Sequence, residues 1–492
     1  MSSHIIITAV SFFTTRVIKF SLGFEYLGLN GVFNNIISLL SLTELGIGNA
    51  IIFALYKPLA ENDTNLISIL MRFYRNAYRI IAMIVFTIGL IIMPFLKFFV
   101  NTTLSMNYVR IVFLLFVFNS SASYLLSYKR NIIFADQKNY IITFYTMIIS
   151  IISKVGQLII FYITNSFILY LIVNIICTIV LNILISNKAN KLYPYLKDNV
   201  TEKLPQEIKQ MLISKIKALF LHSIGAYFVF GTDNILISYF KGVSEVGLYG
   251  SYMMIVSFLN ALVTQIFSGI TSSVGNFLLD KSKEEQYGLY KKIEFFNSII
   301  IIFISVCTAT LITPFVTWWL GPDSVLPDSI VYLIILSNFI TLSRNPIGTI
   351  KNGAGLFERD KYAPLIESFI NLVVSCILAK YIGLAGIILG TIISSILVPY
   401  WVTPHIVYKY IFNKKAFTYF IHIILNLLYC TGMIILLHFM LQNIYILNDT
   451  MTLLLKFLIT GIICILLEFL LFFKNKYFPE ITKLIKNIIH KK

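Results

Sequence analysis

Apolar runs of about twenty residues recur along the chain, each closed by a short polar segment that is usually basic. A helix needs about 20 mostly apolar residues to cross the hydrocarbon core of a bilayer. Fourteen stretches reach that length, at residues 4–21, 32–56, 78–100, 108–128, 140–163, 166–186, 217–240, 247–272, 293–319, 329–349, 363–381, 383–408, 418–441 and 451–473. The runs do not alternate: residues 298–305 read Ser-Ile-Ile-Ile-Ile-Phe-Ile-Ser. Strands of a transmembrane barrel alternate over about ten residues. The pattern therefore predicts an all-α polytopic membrane protein with about 14 transmembrane helices. The first span is short and carries Arg16 and Lys19. No small-residue cleavage site follows it, so it reads as a span rather than a signal peptide.

Composition agrees with the pattern. Of 492 residues, 58% are hydrophobic and 12% charged, and the mean hydropathy is +0.84. Soluble domains carry about 25% charged residues. Too few charges remain here to cover the surface of a soluble enzyme, and no nucleic-acid partner is implied. The net charge of +17 is instead a matter of topology. With the N-terminus in the cytoplasm, the cytoplasmic segments hold 30 of the 39 Lys and Arg residues. The external loops hold four: Lys97, Arg110, Lys241 and Lys380. Basic loops stay inside, so both termini are expected in the cytoplasm, with the basic loops facing anionic membrane lipids. The tail bearing Lys483, Lys486, Lys491 and Lys492 reads as a short amphipathic helix on the membrane surface.

Other chemistry is sparse. The five cysteines (Cys177, Cys307, Cys376, Cys430 and Cys464) fall at scattered positions inside spans and read as small packing residues. The six histidines are dispersed without metal-ligand spacing, and there is no phosphate-binding loop of an ATPase. No catalytic constellation is present, and the short external loops leave no room for a polymerase or ligase domain. The chain reads as a protein that is not an enzyme, with no cofactor.

A repeat is visible at a long offset. Glu25-Tyr-Leu-Gly28-Leu-Asn-Gly31 and Glu245-Val-Gly247-Leu-Tyr-Gly250 share Gly-Leu-x-Gly, 219 residues apart. Ile92-Met-Pro94-Phe95 and Ile312-Thr-Pro314-Phe315 share Ile-x-Pro-Phe, 220 apart. The loops ending in Tyr140 and Tyr362 match at 222. Six spans per copy is even, so the copies run the same way through the membrane, a transporter architecture. The expected organisation is an N-lobe at 1–186 and a cytoplasmic linker at 187–216. A C-lobe follows at 217–408, then two further helices and a basic tail at 409–492. Pro94 and Pro314 are expected to bend spans 3 and 9 at matched depths. Gly386 and Gly390 form a packing face in span 12.

Charges within spans are the candidate chemistry, because each costs at least ~2.5 kcal/mol without a partner or a wet cavity. Arg16 and Lys19 share one face of the first helix. With Lys154 in span 5 and Arg344 in span 10 they would suit an anionic substrate such as a diphosphate. The plainer reading is that each cation snorkels to a headgroup or pairs with a carboxylate. Glu44 in span 2 is a partner for Arg16 or a proton-coupling group, and Asp233 in span 7 could line a polar path, cap a broken helix or bind a cation. Lys456 and Glu468, outside the repeat, read as end-anchors or lipid-facing groups. Arg72, Arg75 and Arg79 lie along one face before span 3 and read as an interfacial, topogenic helix.

Five short stretches resemble a known family. They are Leu22-Gly-Phe-Glu-Tyr-Leu-Gly-Leu-Asn-Gly-Val-Phe33 with Thr43-Glu-Leu-Gly-Ile-Gly-Asn-Ala50, Tyr56-Lys-Pro-Leu-Ala60, and Thr232-Asp-Asn-Ile-Leu-Ile-Ser238 followed by Val246-Gly-Leu-Tyr249. They resemble the bacterial polysaccharide-repeat-unit (Wzx-type) flippases of the multidrug/oligosaccharidyl-lipid/polysaccharide exporter superfamily. The resemblance covers nearly the whole chain. It implies a protein of the bacterial cytoplasmic membrane that flips oligosaccharide linked to undecaprenyl diphosphate, for surface polysaccharide assembly. It also implies alternating access driven by an ion gradient (H+ or Na+), beside glycosyltransferases and a polysaccharide polymerase. Arg16 is the position that would fill the role of the first-helix arginine in such proteins. The alternative is a multidrug/cation antiporter of the same superfamily, which would favour acidic cavities; the excess of cations over carboxylates within the spans speaks against it.

Overall fold

The computed structural model describes residues 2–197, 202, 204–214, 216, 227, 231–356, 358–442, 444 and 449–480. Among them are helices and loops without a strand. The first half comprises α1 (Ser2–Leu22), α2 (Phe24–Leu40), α3 (Leu42–Glu61), α4 (Thr64–Ile92), α5 (Met106–Ser127), α6 (Arg130–Ala135), α7 (Asn139–Thr164) and α8 (Phe167–Leu192). There follow α9 (Asp233–Lys241), α10 (Val243–Asp280), α11 (Lys283–Leu320), α12 (Asp328–Ser343) and α13 (Asn345–Gly353). The chain continues through α14 (Ala363–Ile382), α15 (Leu384–Leu397), α16 (Pro399–Val407), α17 (Phe417–Leu441) and α18 (Asp449–Phe472).

Among the described residues, eleven helical segments are long and apolar enough to cross a membrane. They coincide with predicted spans 3–6 and 8–14. The protein is a multi-pass membrane protein. Span 1 is the helix α1. Span 2 is broken: α2 ends at Ser41, whose amide donates to the Ile37 carbonyl at 2.9 Å, and α3 begins beside it. Most of span 7, and the basic tail with Lys483, Lys486, Lys491 and Lys492, lie outside the described residues.

Local chemistry sets the helix ends. Asp63 caps α4 by accepting from the Leu66 amide at 2.9 Å. Ser282 and Glu285 form a reciprocal capping box at the start of α11. Such caps contribute about 1 kcal/mol each. The matched prolines behave differently. At Pro94 the chain tightens into a 3-10 turn over Met93–Phe98, whereas α11 runs through Pro314 unbroken. The two prolines therefore sit in different local structure.

Contacts divide the chain into Met1–Gly250 and Ser251–Lys492, a division inside α10. It falls later than the linker read at 187–216, because residues 231–247 pack on α2. In the first unit a Cβ on Gly28 would overlap the Val243 carbonyl, and one on Gly247 would overlap the Phe24 carbonyl. In the second unit Gly386 and Gly390 let α15 lie directly against α14: added Cβ atoms would overlap the Leu378 backbone and Ser375. Asn371 Nδ2 donates to Thr391 Oγ1 at 3.0 Å across the same pair. Small residues with interhelical hydrogen bonds are how helices associate where no water drives them together.

Backbone conformation also follows the repeat. Gly23 (φ 90°) and Gly242 (φ 97°) stand 219 residues apart, each just before the helix that carries Gly-Leu-x-Gly. Gln137 (φ 58°) and Gly355 (φ 68°) are 218 apart, as are Asn165 (φ 48°) and Gly383 (φ 60°). Left-handed residues are uncommon outside glycine. Gly23 and Gly242 share their whole backbone conformation (ψ 179° and 164°), whereas Asn165 and Gly383 differ in ψ (24° and −129°) and share only a positive φ.

Candidate functional site

A cavity of about 230 Å³ opens inside the first unit, between α2, α5, α7 and α8. Its polar wall is made of amides and one amine. Asn30 and Asn34 come from α2, Asn119 from α5, Lys154 and Gln157 from α7, and Asn174 from α8. Lys154 and Gln157 are three residues apart and share a helix face. Asn34 Nδ2 donates to Asn30 Oδ1 at 2.8 Å. Gln157 is only 1% exposed; its Nε2 reaches the Tyr170 carbonyl at 3.5 Å, while its Oε1 has no partner. The Asn119 side-chain oxygen is likewise unpartnered. A buried acceptor left unsatisfied costs about 1–3 kcal/mol, so these groups are poised for a polar ligand or water. Among the described residues no carboxylate lines the cavity and no ion pair holds Lys154. Amides donate and accept, which suits sugar hydroxyls. An ammonium suits a phosphate oxygen.

Helix α2 connects this cavity to the start of the second repeat. Asn35, next to the cavity's Asn34, donates through Nδ2 to the Gly231 carbonyl at 2.7 Å. It receives the Asn234 amide on Oδ1 at 3.3 Å and the Tyr227 hydroxyl on its backbone carbonyl at 2.7 Å. Asp233 therefore sits in a segment clamped to α2. Its Oδ1 is buried without a hydrogen bond, and Tyr249 lies within electrostatic reach.

No protein-family model matches the chain, and no curated protein matches it in sequence. Solved structures do. The lipid II flippase MurJ in an inward closed conformation aligns over 95% of this chain and 98% of its own, with a TM-score of 0.66 and 13% identity. An inward-facing multidrug resistance MATE transporter of the MOP superfamily aligns over 81% and 94%, with a TM-score of 0.61 and 15% identity. The Vibrio cholerae MATE transporter VcmN, as its D35N mutant, aligns over 85% and 98% at 0.56 and 13%. The chain has the MATE and MurJ fold.

The remaining charged residues take varied places in this MATE/MurJ fold. Arg16 lies 5.4 Å from the Phe20 ring centre, and Lys19 lies 4.2 Å from it and 5.9 Å from that of Phe24. Both are on α1, which packs on α2 and α7, though neither lines the cavity. Glu44, in the first turn of α3, accepts the Tyr78 hydroxyl at 2.5 Å and interacts with Tyr124. Tyr74 beside it receives the Asn131 amide. Arg130, on the short helix α6, has its pKa held below the ordinary arginine value by burial, an effect that the Glu44 and Tyr78 side chains partly oppose.

Arg344 terminates α12 in the second unit and faces Glu367 at 3.9 Å. Glu367 is 7% exposed and also accepts the Ser395 hydroxyl at 3.1 Å. Glu468 is 7% exposed and turned inward, which corrects its reading as a lipid-facing anchor. The amides around Lys154 carry no sequence signal beyond Asn30 and Asn34 at a four-residue spacing and Lys154 and Gln157 at three.

Proposed function

We propose that the protein is a flippase for polyprenyl-diphosphate-linked oligosaccharide, of the undecaprenyl type, in a bacterial cytoplasmic membrane. The observation that carries this reading is the carboxylate-free cavity of five amides around Lys154. Amides read hydroxyls and Lys154 meets phosphate, while the polyprenyl chain stays in the bilayer. Arg16 and Lys19, on the adjoining α1, attract the diphosphate toward the same lobe. Glu44, with its tyrosine partners, and Asp233 are the candidate groups for coupling to H+ or Na+. Basic loops on one side support cytoplasmic termini and a cytoplasmic loading face.

The reading is tested in the strain that carries the gene. Arg16→Ala and Lys154→Ala are expected to abolish surface polysaccharide at unchanged protein level. Full export in both variants overturns it.

A second reading is a multidrug/cation antiporter, favoured by the buried, unpartnered carboxylate oxygen of Asp233. Drug efflux that is lost in Asp233→Asn, with polysaccharide export intact, would select it.

A further inference from the structure

Asn35 stands between the Lys154 cavity and Asp233. Helix α2 is a rod of 17 residues with a break at each end, at Gly23 (φ 90°) and at Ser41. Asn30 and Asn34 put one side of this rod into the cavity wall. Asn35, the next residue round the helix, holds the segment that leads into α9. Its carboxamide brackets Asp233. Nδ2 donates to the Gly231 carbonyl, two residues before Asp233, at 2.7 Å, and Oδ1 accepts from Asn234, the residue after it, at 3.3 Å. The Tyr227 hydroxyl donates to the Asn35 backbone carbonyl at 2.7 Å. Gly31, one turn earlier on the same helix face, brings α2 close: an added Cβ would stand 3.4 Å from Asn234 Nδ2 and 3.1 Å from Val246 Cγ1. Asp233 Oδ1 is buried without a hydrogen bond, and Tyr249 of α10 is within electrostatic reach. A buried carboxylate without a partner is unfavourable until a proton or a cation neutralises it. The charged and neutral forms of Asp233 therefore favour different arrangements of residues 231–234. Asn35 is bonded on both sides of that carboxylate, so a shift there pulls on α2. A hydrogen-bonded helix moves as a unit, and Asn30 and Asn34 move with it.

We propose that Asn35 is a positioning residue that ties the charge of Asp233 to the shape of the Lys154 cavity. A proton or cation taken up at Asp233 re-sets the α2 amides that meet the substrate. By reciprocity, a ligand on Asn30 and Asn34 alters uptake at Asp233 by the same factor. This role follows from taking the cavity as the substrate site and Asp233 as a coupling group. The link itself is tested without substrate, so its failure is distinct from a failure of polysaccharide export.

The test is a double-mutant cycle of Asp233→Asn and Asn35→Ala, read by hydrogen–deuterium exchange on the full-length protein in nanodiscs. Asp233→Asn stands for the neutralised acid. It is expected to change the exchange rate of the α2 amides around Asn30 and Asn34 at least about fivefold, but less than about twofold once Asn35 is alanine. An Asn35 that only supported the fold would lower the melting temperature and leave the response to Asp233→Asn intact. If Asn35→Ala does not fold, Asn234→Ala cuts the same link from the other side and should weaken the response. An equal response with the link intact and cut, or no response to Asp233→Asn with Asn35 in place, overturns the proposal.

Discussion

Gly28 and Gly247 pack against each other: a Cβ on Gly247 would stand 3.0 Å from the Gly28 amide nitrogen. They are the equivalent glycines of the two Gly-Leu-x-Gly motifs, 219 residues apart. The motif is thus repeated because each copy supplies one side of the same close helix crossing.

Gly247→Ala is therefore expected to destabilise the protein, because its methyl meets backbone that cannot step aside. Overpacking of this kind costs about 1–3 kcal/mol. Gly250→Ala, at the last glycine of the same motif, has open space around its Cβ and should be near neutral. Thermal unfolding of the purified variants checks both.

Arg344 and Glu367 should behave as a structural pair. Glu367 is buried, but Arg344 is 28% exposed and 3.9 Å away, so removing the arginine strands one buried carboxylate and costs less than the ~3–5 kcal/mol of a fully buried pair. Arg344→Ala should lower thermal stability, and adding Glu367→Gln should recover much of the loss. If export follows stability through this cycle, Arg344 has no substrate role. Export lost in a stable double variant would give it one.

Asp136 gives a pH signature. Burial raises its pKa, but hydrogen bonds from Lys138 (2.6 Å) and the Tyr193 hydroxyl (2.6 Å), with the Lys138 charge, outweigh this and hold it below the ordinary value of 3.8. A depressed carboxylate stabilises the folded state above its unfolded pKa and loses that contribution as pH falls through the folded pKa. The melting temperature should thus fall below about pH 4, and Asp136→Asn should remove that part of the fall. An unchanged profile in Asp136→Asn would contradict it.

Long apolar runs made most of the fold legible, since a helix that meets lipid must be apolar over its whole length. The repeat was legible in glycines whose lack of a side chain is a packing requirement, and it recurs in the left-handed turns at Gln137 and Gly355. The break at Ser41 was not legible, because Ser41 interrupts no apolar run. The Lys154 cavity was legible only as an isolated lysine. Its amides come from four helices that only tertiary packing brings together. That Arg344 faces a carboxylate, as the plainer reading of the intramembrane cations has it, shows only in the fold. Glu468 looked peripheral because burial depends on which face of α18 meets α11.

The most direct test of the Lys154 cavity is binding of a short-chain polyprenyl-diphosphate disaccharide to the protein in nanodiscs. The account predicts at least tenfold weaker binding for Lys154→Ala, recovery in Lys154→Arg, and a smaller loss for Gln157→Ala. Undiminished binding in Lys154→Ala and Gln157→Ala would contradict it.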